Sequence, residues 1–414
     1  MSPRRILALL AISLAALTQT VNIAATSARG VDVIIATQLI VRVNPAVTTI
    51  DVVNAAAGTT TVATSISGNG SYLVSVAPGA DPAATMAVIA AVPGVDFVAA
   101  NVKMTPPEVH QSRIYAWRIY AWSAGVTPPA ESQYAAAAVN LTAAQALSTG
   151  LGTTVAVLDT GVQFAHPALA GTFVPGWDFV DGDSNPAETL NGIDDDGNGQ
   201  IDEGAGHGTH VAGIVHQVAP AASIMPVRVL DDDGSGTMWN VTEGMYWAAA
   251  HGAKIVNMSL GTHGSAKPLR VAVTNLAAEG VLVVAAAGND GLDRPMFPAA
   301  APEAIAVGSV GTGDTVSTFS NFGKWVDVMA PGENIHSTYA FPFDSYAMNS
   351  GTSMATPWVA GEAALLLSYR STLSVAGLRT AVGAGATSID AVNPTLLGGT
   401  GAGRIDVLAS LHRV

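Results

Sequence analysis

Four widely separated residues carry groups that could act together on one bond: Asp159, His207, Asn289 and Ser353. Each stands where the sequence changes character. Thr154-Val-Ala-Val-Leu158 closes on Asp159-Thr-Gly161, and Gly206-His207-Gly-Thr-His210 opens a helical pattern. Val281-Leu-Val-Val-Ala-Ala-Ala-Gly288 ends at Asn289, and Gly351-Thr-Ser353-Met-Ala-Thr-Pro357 opens another helix. A serine hydroxyl is a weak nucleophile at neutral pH and needs a base within hydrogen-bond reach. His207 titrates near neutrality, so it can take that proton and return it to a leaving amine. Asp159 can hold the resulting imidazolium by its other nitrogen. The Ser353 N–H at a helix start and the Asn289 amide are the donor types that stabilise a developing oxyanion. Singly, these residues read as a turn acid, an N-cap serine and a turn asparagine. The order Asp, His, Ser is one of the known triad orders.

Beside His207 lies a different chemistry. Asp194, Asp196, Asn198, the Gln200 carbonyl and Asp202 fall at alternate positions of a calcium-type loop, with Gly199 at its turn. Ala205 replaces the closing bidentate Glu, which Glu203 could supply, and a bare polar turn is the alternative. Asp181-Gly-Asp183 reads as a solvated turn and Asp231-Asp-Asp233-Gly234 as a tight turn after a strand. The HExxH zinc signature is absent. His210 is expected to pack under the active site, His216 to sit on a helix surface and His166 in a loop.

The elements that must position these groups follow from hydrophobic pattern. Residues 155–158, 224–229, 254–258, 281–285, 305–307 and 325–328 are short apolar runs without polar alternation. Strands covered on both faces look like this. Helical stretches at 207–217, 237–251, 267–279 and 353–370 alternate with them, which predicts a mostly parallel sheet with helices on both faces. Ligands in such sheets bind beyond the carboxyl ends of the strands. Upstream, strands at 33–43, 72–76 and 95–104 and a helix at 82–91 predict a small α+β unit. The segment 105–133 holds two Pro-Pro pairs and the tandem RIYAWRIYAW at 113–122, and reads as a connector.

"VAVLDTGV", "HGTHVAGI", "NMSLG", "AAAGN" and "GTSMATP" together resemble the subtilisin-like (subtilase) serine proteases, over roughly residues 134–411. The resemblance implies a three-layer α/β fold, with Asp159, His207 and Ser353 as a triad and Asn289 as oxyanion donor. It implies a pocket lined by Ser259, Leu260, Gly261, Ala286, Ala287 and Gly288. It also implies that Ser235 and Gly236 form an edge strand able to pair with extended substrate. Residues 31–104 are similar to the inhibitory, folding-assisting prodomains of such enzymes, which makes the chain's own N-terminal unit an expected intramolecular inhibitor. Calcium-held insertions in this region also occur in the family, so a structural Ca2+ is expected. Two residues depart from the common pattern: Thr262 stands where a second glycine is frequent, and Glu362 where the family has something small and apolar. Glu362 is read as a long side chain whose carboxylate reaches the surface, with a buried carboxylate needing a partner as the alternative.

Composition bounds the rest. Cysteine is absent, which removes disulfides, thiolate nucleophiles and cysteine-held zinc. Apolar residues make up 49% and charged residues 12%, ample for a large core, and the formal charge of −14 argues against a nucleic-acid partner. Arg4 and Arg5 precede an apolar run at 6–17, too short for a comfortable membrane span, and small residues follow to Ala28. This reads as a signal peptide at 1–28, with a retained anchor as the alternative and no stable membrane insertion expected. The sequence therefore predicts a secreted, extracellular serine endopeptidase acting on proteins or peptides and made as an inhibited precursor. The order is leader (1–28), prodomain (31–104), connector with processing region (105–133) and catalytic domain (134–414). The other readings are a catalytically silent, calcium-dependent binding module of the same fold, and a zinc hydrolase using the histidines.

Overall fold

The computed structural model describes residues 34–110, 133–264, 266–341 and 345–414. The expected leader at 1–28 lies outside the described residues. So do the duplicated pentapeptide and most of the expected processing region, of which only 105–110 and 133 are described.

The first elements are β1 (Ile34–Val43), α1 (Ile50–Ala57), β2 (Thr60–Thr64), β3 (Ser71–Ser75), α2 (Pro82–Ala90) and β4 (Val95–Met104). β1 pairs antiparallel with both β3 and β4, and β2 completes the edge beside β3. The two faces of β1 serve different cores, because successive side chains point to opposite sides of a strand. Leu39, Val41 and Val43 pack with Val53 and Ile89 of the two helices, whereas Ile40 joins Phe97, Val102 and Met104 in a cluster with α6 and α7, whose ranges follow.

The larger part begins with the short helices α3 (Tyr134–Ala138) and α4 (Leu141–Gln145). Then come β5 (Thr154–Asp159), β6 (Trp177–Asp178), α5 (His207–Val218), β7 (Ser223–Arg228), β8 (Gly236–Thr237) and α6 (Met238–Ala250). β9 (Ile255–Met258), α7 (Lys267–Ala278), β10 (Leu282–Ala286), β11 (Ile305–Val310) and β12 (Val328–Pro331) follow. The chain ends with β13 (Ile335–Tyr339), β14 (Ser345–Asn349), α8 (Thr352–Tyr369), α9 (Val375–Gly385) and α10 (Val407–Leu411).

Seven strands form a parallel sheet in the order β12-β11-β10-β9-β5-β7-β6. Val155 and Val157 of β5 face α5 and α8, while Ala156 and Leu158 face α6 and α7. Helices on both faces make this the three-layer α/β arrangement that the apolar runs predict, since strands buried on both sides have no polar face to show. β10, β9 and β5 are neighbours in the sheet, so the residues just past their carboxyl ends lie side by side. In sequence these are Gly288-Asn289, Ser259 and Asp159-Thr160.

Two expectations are corrected. The run at 325–328 is not a strand, which starts only at Val328. Asp327 uses its side chain to accept the Ala306 N–H at 2.9 Å and to pair with Arg379. Glu362 does not reach the surface. It lies fully buried in α8, a helix enclosed on all sides. Neither carboxylate oxygen has a close hydrogen-bond partner among the described residues. Burial pushes its carboxyl up to about 8, the Asp406 charge adds to that, and the nearby Ser410 hydroxyl offsets only part.

A raised carboxyl favours the folded state while it stays protonated, so stability falls as pH climbs from the unfolded value near 4.5 through about 8. That cost reaches at most about 5 kcal/mol above the upper value. Glu362→Met should therefore raise the melting temperature, and by clearly more at pH 9 than at pH 6. Thermal scans of both proteins at the two pH values check the difference.

Candidate active site

The four candidate residues arrive at one place by different routes. Asp159 is the last residue of β5, fixed by its Thr160 N–H neighbour, which donates to Oδ1 at 2.8 Å. His207 is the first residue of α5, and its Nδ1 stands 2.7 Å from Asp159 Oδ1 with both side chains sealed from solvent. Gly206 before it takes a left-handed φ of 90°, and a Cβ there would lie 2.5 Å from the Tyr339 ring. Only glycine fits that approach. Ser353 is the second residue of α8. Asn289 follows Gly288 beyond β10, and its Oδ1 accepts from the Thr352 N–H at 3.0 Å and the Thr352 hydroxyl at 2.9 Å. Those two bonds turn the Asn289 amide N–H2 outward, toward Ser353.

Three of the four, His207, Asn289 and Ser353, face the carboxylate of Glu108, a residue with no motif around it in the sequence. Ser353 Oγ donates to Glu108 Oε2 at 2.7 Å, Asn289 Nδ2 donates to Oε1 at 2.9 Å, and the Ser353 N–H lies 3.4 Å from Oε1. His207 Nε2 is 3.6 Å from Oε2. A Cβ on Gly351 would collide with Glu108 at 1.7 Å, so the glycine of "GTS" opens the space the carboxylate fills. Burial opposes a charged imidazolium, but the Asp159 and Glu108 carboxylates outweigh it and push His207 up to about 10. Burial likewise opposes ionisation of Glu108, yet the hydrogen bonds and charge of His207 and the Ser353 hydroxyl hold it below the usual carboxylate range.

Glu108 is brought there by the N-terminal strand. β4 runs on antiparallel to β8, with Lys103 opposite Thr237 and Met104 opposite Gly236. Thr105 then bridges Gly261, whose N–H donates to the Thr105 carbonyl at 3.1 Å. Pro106 and Pro107 have no N–H to continue such pairing, and the chain coils into a short 3₁₀ turn, Pro107–His110. Gly236 thus pairs with the end of β4, and Gly261, expected to line the pocket, bridges the residue that follows it. The remaining pocket residues divide. Ser259 donates its hydroxyl to the Ser353 carbonyl at 2.8 Å, and its own carbonyl accepts from Ser353 Oγ at 3.1 Å. Leu260 packs into the core against α6 and α7, Ala286 is buried at the end of β10, and Ala287 joins a small cluster with Val310 and Met329. Gly288 donates its N–H to the Thr352 hydroxyl, and Ser235 closes a turn onto Asp231.

The acidic loop is assembled differently from its sequence pattern. Asp194, Asp196 and Asp233 bring carboxylate oxygens within 4.8 Å of one another. Asp202 is turned away and accepts instead from the Asn191 and Gly192 N–H groups. Asn198 donates to Asp196 and Glu203, and its side-chain oxygen accepts the Gln200 N–H. Asp233 is fully buried and accepts from the N–H groups of Asp195, Asp196 and Asp202. Its signal in the sequence was the third consecutive acid before Gly234. The neighbouring Asp181 pairs with the buried Arg228, as do Asp178 and Asp232.

No histidine belongs to that acidic group. His210 is buried, with Nε2 3.1 Å from the Ile335 carbonyl and 3.2 Å from that of Ala347, and burial pushes it down to about 3 with the His207 charge adding. His166 stands in a loop as expected and is fully buried there, 2.9 Å from the Ser345 carbonyl and capping the turn at Ala168. His216 is half-buried rather than on the surface of α5, because that helix is packed between the sheet and α8.

Residues 150–403 match the sequence profile of the Subtilase family. The chain is 46% identical to thermitase of Thermoactinomyces vulgaris over 57% of this chain and 82% of that one. It is 39% identical to Subtilisin BL of Lederbergia lenta over 59% of this chain and 87% of that one. Among solved structures it resembles fervidolysin of Fervidobacterium pennivorans, a keratinolytic enzyme related to subtilisin. The TM-score is 0.73 at 23% identity, covering 93% of this chain and 62% of that one, a likeness of fold.

Proposed function

The chain belongs to the subtilase family and is a subtilisin-like serine endopeptidase acting on protein or peptide substrates, and from that premise we propose that Asp159, His207 and Ser353 are its catalytic triad, with Asn289 as oxyanion donor. One observation carries this reading: the Ser353 hydroxyl and N–H, the Asn289 amide and His207 all converge on a single carboxylate, that of Glu108. An anion held by those groups occupies the place where a substrate carbonyl would develop negative charge. With Glu108 withdrawn, Ser353 Oγ attacks the carbonyl carbon of the scissile bond while His207 Nε2 takes its proton. The tetrahedral oxyanion rests between the Ser353 N–H and Asn289 Nδ2. Collapse expels the amine, which receives the proton from His207, and leaves an ester on Ser353. Water, deprotonated by the same histidine, releases the acid and restores the hydroxyl. The His210 contacts support a structural role for that ring and give the zinc reading no support.

The N-terminal unit acts in this proposal as an intramolecular inhibitor. Its β4 strand pairs with Gly236 and the next residue, Thr105, with Gly261, where extended substrate would lie, and Glu108 closes the site. The basic and apolar start of the sequence supports export from the cell, giving a secreted precursor activated by cleavage in the connector. Among the described residues no helix is long and apolar enough to cross a membrane. For calcium, the donors are hard carboxylate oxygens. Asp194, Asp196 and Asp233 would hold the ion, while Asn198, Gln200 and Asp202 of the loop pattern would have to give up their present bonds or turn to join them.

Ser353→Ala should yield full-length precursor that retains the 31–133 region and cleaves casein at least about 1,000-fold more slowly. Normal maturation of that variant, read on a gel, would exclude the serine mechanism. Glu108→Gln should shorten the lag before activity appears by about tenfold, because it removes one partner of a buried charge pair. The wild-type lag should itself shorten in acid, as Glu108 protonates, and again as pH rises through about 10 and His207 loses its proton. A progress curve at three pH values checks both. Chelation of calcium should lower the melting temperature by about 5 °C or more, as expected when a bound ion is stripped from the folded state alone. Asp196→Ala should abolish that sensitivity, and an unchanged midpoint in the wild type would leave the loop a bare acidic turn.

A further inference from the structure

A second buried carboxylate lies behind the Asp159–His207 pair and takes no part in the mechanism above. Glu188 is almost wholly buried, set in place by its own N–H, which donates to the Val162 carbonyl at 3.1 Å. Its Oε1 accepts from the Thr160 hydroxyl, the Gly206 N–H at 3.0 Å and the Gly208 N–H at 3.1 Å. Its Oε2 accepts from the Thr209 hydroxyl. These donors come from two elements. Thr160 directly follows Asp159 at the end of β5, while Gly206, Gly208 and Thr209 form the first turn of α5 around His207. Because Gly206 has no side chain to cap the helix, Glu188 supplies the cap from outside.

Both threonine hydroxyls donate to Glu188 while each accepts a main-chain N–H. Thr160 Oγ1 already accepts the Gly208 N–H at 2.9 Å, and Thr209 Oγ1 accepts the Gln163 N–H at 2.8 Å. As they stand, all four neighbours present a hydrogen to the carboxylate, the pattern that an ionised group accepts. A protonated Glu188 would require a threonine hydroxyl to turn and accept instead.

We propose that Glu188 is a positioning residue for proton transfer, whose carboxylate clamps the strand end bearing Asp159 to the helix turn bearing His207. The inference rests on the triad reading above. Holding acid and base on separate elements at hydrogen-bond distance needs a tie between those elements, and Glu188 is bonded to both. It also places negative charge near the imidazolium. The charged groups facing it are Asp159 from β5, His207 from α5 and, when ionised, Tyr339 from β13. Burial drives the Glu188 carboxyl up to about 7, the two threonine bonds resist, Asp159 adds to the rise and His207 lowers it. Coupling is reciprocal, so ionised Glu188 makes His207 the stronger base.

Glu188→Gln keeps the shape but turns an amide N–H2 toward donors. In the active enzyme it should lower kcat by roughly 10- to 100-fold with KM within about twofold, the signature of misplaced catalytic groups. The acid limb of kcat/KM against pH should move to lower pH, since the charge favouring imidazolium is gone. Rates are taken per site titrated with a serine-directed phosphonate, so that lost folding does not count as lost catalysis. An unchanged kcat and acid limb would overturn the inference, and so would a loss confined to the number of titratable sites. If the glutamine variant does not fold, proton NMR of the wild type decides. The His207 Nδ1–H resonance should show an inflection near pH 7 that moves upward in Thr209→Val, and an inflection that stays put refutes the clamp. Wild type that is not labelled at Ser353 would instead overturn the triad reading and this inference with it. Labelled wild type with an indifferent Glu188→Gln overturns this inference alone.

Discussion

The contact between Asp159 and His207 is the constraint around which the rest of the molecule is arranged. Two ionisable groups at 2.7 Å, each about 1% exposed, are costly to bury unless every hydrogen-bonding direction around them is met. A strand end fixes one and a helix start fixes the other, and neither element alone sets the distance. The parallel sheet supplies the frame. Because β5, β9 and β10 are adjacent, the acid, the Ser259 backbone and Asn289 emerge in a row, and α8 crosses the same sheet face to deliver Ser353. Close packing of α5 against α8 makes the relation between His207 and Ser353 a property of the core rather than of a loop.

The N-terminal module uses the same site by two independent means. Its last strand and the next residue, Thr105, form main-chain bonds with Gly236 and Gly261, which favour any extended chain and are indifferent to side chains. Glu108 adds an anion that accepts from the Ser353 hydroxyl, the Ser353 N–H and the Asn289 amide, beside His207. The Pro106-Pro107 pair separates the two contacts, ending the strand where pairing would otherwise continue and turning the next residue's side chain onto Ser353. A third attachment lies well away from the site. Glu243, buried in α6, accepts from the Ser65 hydroxyl, the Ile66 N–H and the Asn69 amide of the β2–β3 loop. Two of these contacts rest on a carboxylate, that of Glu108 from the N-terminal side and that of Glu243 from the larger part.

Much of this was legible in the sequence, because buried parallel strands, helix starts and glycine-bounded motifs are local signals. β4 and the starts of α5 and α7 coincide with the apolar pattern, and the four candidate catalytic residues stand at element ends as their contexts predict. What was not legible depends on partners distant in the chain. β2 is exposed along nearly its whole length and shows no alternation, and the β13–β14 hairpin is built from polar residues that bond to α5 through Ser337 and Thr338. Glu108, Glu188 and Asp233 are ordinary acids in sequence. Each acquires a role only from backbone N–H groups or hydroxyls brought in by folding. Glu362 differs in kind, since α8 is apolar around nearly its whole circumference, a pattern that points to an enclosed helix.

The insertion between Glu188 and His207 shows how such carboxylates do the work of a core. Its apolar side chains Ile193 and Ile201 are exposed, so hydrophobic burial cannot order it. Instead Asp233 grips the N–H groups of Asp195, Asp196 and Asp202 from one side, while Glu188 grips Gly206 and Gly208 from the other. Buried acids bonded to main-chain donors are strong, charge-assisted contacts. They also carry a geometric demand, because a main-chain donor cannot be replaced by a different side chain. Gly204, whose Cβ would strike the Gly234 backbone, marks where the two grips meet. A cation drawn to Asp194 and Asp196 would neutralise the repulsion among the acids on one side of that point. The other side needs no cation, since Glu188 is matched by donors alone. The turn bearing His207 is thus anchored apart from the acidic loop, to the strand that carries its acid.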